Sequence, residues 1–211
     1  MRVLFLGEGS SDNGIAPHIE TLAAEHGIPV ALTVPDLSLL AGRVGHSVSD
    51  KLRALRRIGG EYDLVVVHRD ADRGSPADRR REIADAIAAE WPDLAHVPAV
   101  PVRMLEAWLL LDEAAIRMVA ANPNGRMPLG LPRVSSAEGI ADPKARLKEA
   151  LAQAAAVKGR RLEQFQRHDR FSYHRLRLLE MLDPRGPVMG LPSWRAFVEE
   201  LDAAFTSWSA D

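Results

Sequence analysis

Leu64-Val65-Val66-Val67 is a run of four apolar residues, three of them β-branched, that passes without alternation into His68-Arg69-Asp70-Ala71-Asp72. A strand with one face in water alternates apolar and polar residues. An unbroken apolar run instead calls for burial on both faces, and so for a parallel sheet covered by helices. In open parallel sheets ligands collect beyond the carboxyl ends of the strands, which is where this run delivers Asp70 and Asp72. On an extended chain residues two apart point the same way, so the two carboxylates are placed to share one ion. Taken alone they could equally be polar residues of a loop that caps the next helix. The choice turns on whether other acids converge there.

The rest of the chain supplies partners for this strand. Arg2 to Leu6 reads as a buried strand closed by Gly7-Glu8-Gly9-Ser10-Ser11-Asp12, and Ile15, Ile19, Leu22 and Ala23 follow at helical spacing. Ile28 to Val34 gives a second strand, 35–47 a loop, and 48–58 a basic helix ended by Gly59-Gly60. Ser75-Pro76 opens a further helix, with Ser as N-cap and Pro at the first helical position. A fourth strand over 94–102 is interrupted by Pro98 and Pro101, which places it near an edge, and a helix over 105–119 follows. The alternation predicts a Rossmann-like α/β fold over residues 1–120, a mostly parallel four-stranded sheet between helices. Residues 121–142 lose all periodicity in Pro, Gly and Ser, as a functional loop or lid does. From Asp142-Pro143-Lys144 onward, 143–211 reads as a helical extension packed on the same domain. There Ser193 is expected as an N-cap, with Trp194, Phe197, Val198, Leu201 and Phe205 as an apolar face.

Glu8 leaves the first strand where Asp70 and Asp72 leave the third, and Glu106 lies just beyond the fourth. If the first and third strands are neighbours, these acids share one rim. Gathering carboxylates out of water is costly unless a cation compensates. An all-oxygen donor set suits Mg²⁺ or Mn²⁺ rather than zinc. Gly7-x-Gly9 is no dinucleotide fingerprint, since Asp12 stands where the third glycine belongs, and no Lys-Ser/Thr follows for a Walker loop. Asp12 reads as a cap for the first helix. The seven histidines show no zinc-binding spacing, and His68, ending an apolar strand, reads as structural.

Composition narrows the function classes. The absence of cysteine excludes disulfides, Cys-based zinc sites and thiol catalysis, and fits a reducing compartment. The N-terminal apolar run is too short for a signal peptide, and none reaches the ~20 residues of a membrane span, so a cytoplasmic protein is expected. A net charge of −2 rules out a whole-molecule polyelectrolyte binder, yet seven basic residues face two acids between Lys158 and Arg177. With Phe165, Phe171 and Tyr173 among them, this stretch has the composition of a phosphate-tracking surface with stacking groups; an ordinary solvated helix face has the same composition. Arg53, Arg56 and Arg57, and Arg79 to Arg81, read as solvated faces. Lys144, Arg69, Arg73, Arg170 and Arg175 are the candidates to contact substrate phosphate.

Gly7-Glu8-Gly9 after the first strand, with Asp70-x-Asp72 after the third, resembles the Toprim domain shared by bacterial primases, topoisomerases and the overcoming-lysogenisation-defect nucleases. The finer pattern is similar to a small bacterial Toprim-like branch with no assigned function. Its features stand here as Glu8-Gly9-Ser10-Ser11-Asp12, Arg69-Asp70-Ala71-Asp72, Glu106-Ala107-Trp108, Asp142-Pro143-Lys144 and Ser193-Trp194-Arg195-Ala196-Phe197. The resemblance implies Glu8 as general acid/base or ligand, Asp70 and Asp72 as Mg²⁺ ligands, and, from the branch pattern, Glu106 as a further acid. It implies metal-assisted cleavage of nucleic acid, in a phage-defence setting. A topoisomerase would need a tyrosine nucleophile, a role that neither Tyr62 nor Tyr173 is expected to fill. Two other classes stay open. One is a different D-x-D metal-dependent phosphate or nucleotide-sugar enzyme, against which the position after the third strand and the trailing Arg73-Gly74 weigh in the phosphatase case. The other is a non-catalytic metal-binding module that docks a protein partner through Trp194, Phe205 and Trp208. The sequence leaves the oligomeric state open.

Overall fold

Continuous apolar segments become interior strands because each face of the sheet has its own set of helices. A computed structural model describes residues 1–40, 43–165 and 167–210. Strands β1 (Arg2–Leu6), β2 (Ala31–Thr33), β3 (Leu64–His68) and β4 (Ala95–Ala99) pair in parallel, in the order β2-β1-β3-β4. All five residues of β3 are buried. Val3, Phe5, Leu64 and Val66 face one way, against Ile15, Ile19 and Leu22. Leu4, Leu6, Val65 and Val67 face the other, against Leu52 and Leu55 of α2 (Val48–Arg57) and Ile83 and Ile87 of α3 (Pro76–Glu90). Each fully buried Val or Leu is worth roughly 1.5–3 kcal/mol over leaving it in water, so the central strand alone anchors both cores. The chain has the Rossmann-like α/β architecture that its alternation predicts.

Capping matches the sequence where the signal is local. Ser75 Oγ accepts the Asp78 N–H at 3.1 Å to open α3, and Asp142 Oδ1 accepts that of Ala145 at 2.8 Å to open α6 (Pro143–Ala155). β4 lies at the sheet edge, as its prolines require. Other expectations need correction. The first helix, α1 (Ala16–Glu25), is preceded by a 3-10 turn over Ser10–Ile15, so Asp12 sits inside that turn. Its carboxylate reaches back to accept the Glu8 and Gly9 N–H groups, each at 2.9 Å. The segment 105–119 is split. Leu105–Leu110 is a 3-10 turn buried all round, and Asp112 then caps a separate α4 (Glu113–Val119). Six consecutive buried residues have no helical stripe, and the Asp112 cap (Oδ1 to Ala115 N–H, 2.9 Å) gives the chain a fresh start. Within 121–142 lie a short α5 (Val134–Ala137) and the buried Leu129, whose carbonyl accepts from the Arg146 guanidinium.

The C-terminal helices α7 (Arg160–Phe165), α8 (His168–Glu180) and α9 (Pro192–Ala210) join the core that α1 and the first sheet face build. Trp194, Phe197 and Phe205 are fully buried there, with the Trp108 and Trp194 rings in edge contact at 4.9 Å. Ser193 is not an N-cap, since α9 begins one residue earlier; its hydroxyl accepts the Trp108 indole N–H at 2.8 Å and donates to Glu138. Among the described residues, no helix is long and apolar enough to cross a membrane.

Candidate acidic site

β1 and β3 are adjacent and in register, Leu6 opposite Val67, so the segments that follow them leave from one rim. β1 has β2 on one side and β3 on the other, and this reversal of strand order opens a crevice at the carboxyl ends. A cleft of about 280 Å³ lies there, lined by Glu8, Gly9, Asp12, Asp70, Asp72, Met104, Glu106, Lys144 and Arg175. Thus Glu8, Asp70, Asp72 and Glu106 share one cleft.

Their surroundings differ. Glu8 Oε1 lies 3.0 Å from Arg69 Nε, and Asp72 Oδ2 lies 3.9 Å from Arg79. Glu106 is 2% exposed and meets Arg175 Nε at 3.3 Å. The same guanidinium pairs with Asp12 and donates to Ser11 Oγ at 2.6 Å. Burial opposes ionisation of Asp12, but the charges of His68 and Arg175 and the Gly9 N–H outweigh it and hold its carboxyl below the usual carboxylate range. Asp70 differs from all of these. Among the described residues it has no Lys or Arg within ion-pair distance, and its Oδ1 accepts the Leu105 N–H at 2.9 Å. Burial, with Glu106 and Glu8 adding to it against the opposing pull of His68, pushes its carboxyl up to about 6.

Asp72 departs from the extended geometry expected of a D-x-D pair. Its φ is +52°, a left-handed conformation that Asp tolerates better than most residues, and its N–H donates to Arg103 O at 2.8 Å. The turn, rather than strand alternation, brings Asp72 to the cleft. Among the described residues, no three acidic or histidine side chains stand close enough to chelate an ion as they are placed. Arg175, Arg69 and Arg79 supply the positive charge beside the acids instead.

His68 is structural on one edge only. It is 1% exposed, and its Nδ1 faces Ala99 O at 2.9 Å, as a donor would. Among the described residues its Nε2 has no hydrogen-bond partner, and it lies 3.6 Å from Asp70 Oδ1 and 3.8 Å from Asp12 Oδ2. A fully buried imidazole edge is therefore aimed at two carboxylates. Asp12 and His68 are the site residues that sequence reasoning missed. The available signal was their offset, Asp12 four residues past Glu8 and His68 two before Asp70.

The candidate phosphate ligands separate into groups. Lys144, at the start of α6, and Arg175, on α8, line the cleft. Arg69 is committed to Glu8 and lies 3.6 Å from Glu82. Arg73 and Arg170 are exposed and do not line the cleft. The stacking surface expected around them is also corrected: Phe171 is 4% exposed and belongs to the core, Phe165 packs on His174 at 4.6 Å, and Tyr173 is the exposed ring. Hydrophobic burial took the phenylalanines that the composition had suggested for bases. Arg53 pairs with Glu90 and Arg81 lies 3.9 Å from Asp78, as on solvated faces, whereas Arg79, which donates to Asp70 O at 3.2 Å and lies 3.9 Å from Asp72, belongs to the rim of the site.

Comparison with known proteins adds no relative: no family model matches the chain, and no curated protein or solved structure matches it.

Proposed function

We propose that the protein is a Mg²⁺- or Mn²⁺-dependent phosphodiester-cleaving enzyme of Toprim type that acts on nucleic acid. The observation that carries this reading is Asp70, a largely shielded carboxylate with no Lys or Arg partner among the described residues and only the His68 imidazole beside it, in a cleft with four further acids. The donors are all oxygen, the chemistry a hard divalent cation takes, and holding one would require Glu8, Asp72 and Glu106 to turn from Arg69, Arg79 and Arg175 toward Asp70. Asp70, Asp72, Glu8 and Glu106 would hold the ion. When bound, the metal would polarise a phosphoryl oxygen and lower the pKa of a water.

The chain's own residues do the rest. Lys144 and Arg175 line the same cleft as Asp70 and would supply charge to a phosphate bound there. Leu105 N–H fixes one oxygen of Asp70, leaving the other for a ligand. Glu8, a third exposed and flanked by glycines, has access to take or return a proton at the reacting oxygen.

The test is incubation of the protein with plasmid, single-stranded DNA and RNA. Each is run with Mg²⁺, with Mn²⁺ and with chelator, beside Glu8→Gln and Asp70→Asn. Metal-dependent cleavage that both substitutions abolish is the expected result. Cleavage that persists in both overturns the site, and no cleavage of any substrate favours the non-catalytic alternative.

A further inference from the structure

A second, larger cleft of about 680 Å³ adjoins the acidic one and shares Glu8 and Gly9 with it. It lies beyond the carboxyl ends of β1 and β2. Its walls are the turn Gly7–Ser10 with Asn13, the segment Val34–Ser38, and the approach to α2 over Arg43–His46. Its size falls within the range of ~300–1,000 Å³ typical of small-ligand sites.

Lys51 of α2 lines this cleft and is only 9% exposed. Its ammonium donates to Gly7 O at 2.7 Å and to Glu8 O at 3.3 Å. An ammonium carries three donors, so one is left for a ligand. Both partners are neutral carbonyls, and among the described residues no carboxylate lies within ion-pair distance of the ammonium, on which Glu8, itself paired with Arg69, and Asp12 act from farther off. A buried cation held only by carbonyls gains most from an anion. Arg43 and His46 add exposed basic groups at the rim, while Asp36 is engaged in accepting the Ser38 N–H and hydroxyl at 3.0 and 2.6 Å. Val34, Pro35 and Leu37 contribute apolar lining against which a flat ring can lie. An anion site, an apolar wall and an opening onto the acids together describe one kind of occupant.

We propose that this cleft binds a single nucleotide unit, its phosphate on Lys51 and its base against Val34, Pro35 and Leu37, next to the phosphate presented to Asp70. The proposal rests on the phosphodiester reading above for its place in the reaction, but its binding step is separable. It makes the enzyme a reader of one nucleotide beside the cut, and assigns Lys51 a role in holding substrate.

The test is calorimetric titration of the full chain, without metal, with 5′-AMP, adenosine and inorganic phosphate as separate probes. One 5′-AMP is expected to bind per chain, at least about tenfold tighter than either adenosine or phosphate, the span of one charge-assisted hydrogen bond. Lys51→Met should weaken 5′-AMP by about tenfold or more and leave adenosine unchanged. Should that variant not fold, Ser10→Trp, a substitution at an exposed position on the cleft wall, is expected to block 5′-AMP. Equal affinity for 5′-AMP and adenosine, or binding that survives in both variants, overturns the proposal. Glu8-dependent cleavage without 5′-AMP binding removes this cleft's role and leaves the phosphodiester reading intact. Nucleotide binding without cleavage of any substrate does the reverse.

Discussion

Arg175 of α8 and Asp12 of the turn after β1 stand 163 residues apart in sequence and form a direct ion pair, both side chains largely shielded from water. Through the same guanidinium, Glu106 is tied in from beyond β4. The C-terminal helices thus contribute a working part of the acidic rim, in the position where a cluster of carboxylates needs positive charge.

Arg175→Met should be strongly destabilising. It leaves two buried carboxylates facing each other, and removal of one partner of such a pair costs about 3–5 kcal/mol. Denaturant unfolding at pH 7 checks the magnitude. If the cleft also accepts a divalent ion, Mg²⁺ should restore more stability to this variant than it adds to the unaltered protein. A loss below about 1 kcal/mol, the ordinary value of a surface pair, would contradict the burial argument.

Asp70 gives the opposite pH dependence from Asp12. With its folded pKa near 6 against an ordinary value of 3.8, the folded state keeps a proton that the unfolded chain releases. Its contribution to stability is full below the unfolded value and is lost as pH rises through about 6. Asp12, held low, contributes above its unfolded value and loses that contribution as the pH falls. Asp70→Asn keeps an oxygen to accept the Leu105 N–H and removes the charge. At pH 8, without metal, it should therefore be more stable than the unaltered protein by up to about 3 kcal/mol, at 1.36 kcal/mol per pKa unit. Urea titrations at pH 8, pH 5 and pH 3.5 decide this, because the gain should fall to about half at pH 5 and nearly vanish only below the unfolded value of 3.8.

Mg²⁺ should raise the melting temperature of the unaltered protein and leave that of Asp70→Asn unchanged. At a hundredfold excess over its Kd a ligand adds about 2.7 kcal/mol, which at this chain length corresponds to several degrees. The effect should weaken as pH falls through 6, where Asp70 takes up its proton. Differential scanning with and without chelator measures it.

Ser193→Ala should cost about 1–3 kcal/mol, since it orphans the buried Trp108 indole N–H and removes a donor to Glu138. The loss would show in thermal unfolding with no change in metal binding, because Ser193 does not line the acidic cleft. Any coupling to metal affinity would mean that the aromatic core positions the turn carrying Glu106.

Much of the scaffold was legible before any coordinates. The unbroken Leu64–Val67 run required two covered faces, Ser75 and Asp142 marked their helix starts, and the prolines of β4 placed it at an edge. These signals are short-range, since burial pattern and capping depend on residues within one or two turns. The meeting of Glu8 with Asp70 followed once β1 and β3 were neighbours, because register fixes where strands end. What needed the tertiary structure is the charge state of that meeting. Only the packing of α8 puts Arg175 on Asp12 and Glu106, and only the +52° turn at Asp72 sets its carboxylate beside Arg79. The depth of the rim decides that Asp70 holds its proton to about 6. Desolvation and ion pairing are sums over neighbours distant in sequence, so residue types alone identified the acids, and the fold decided which of them has no arginine beside it among the described residues.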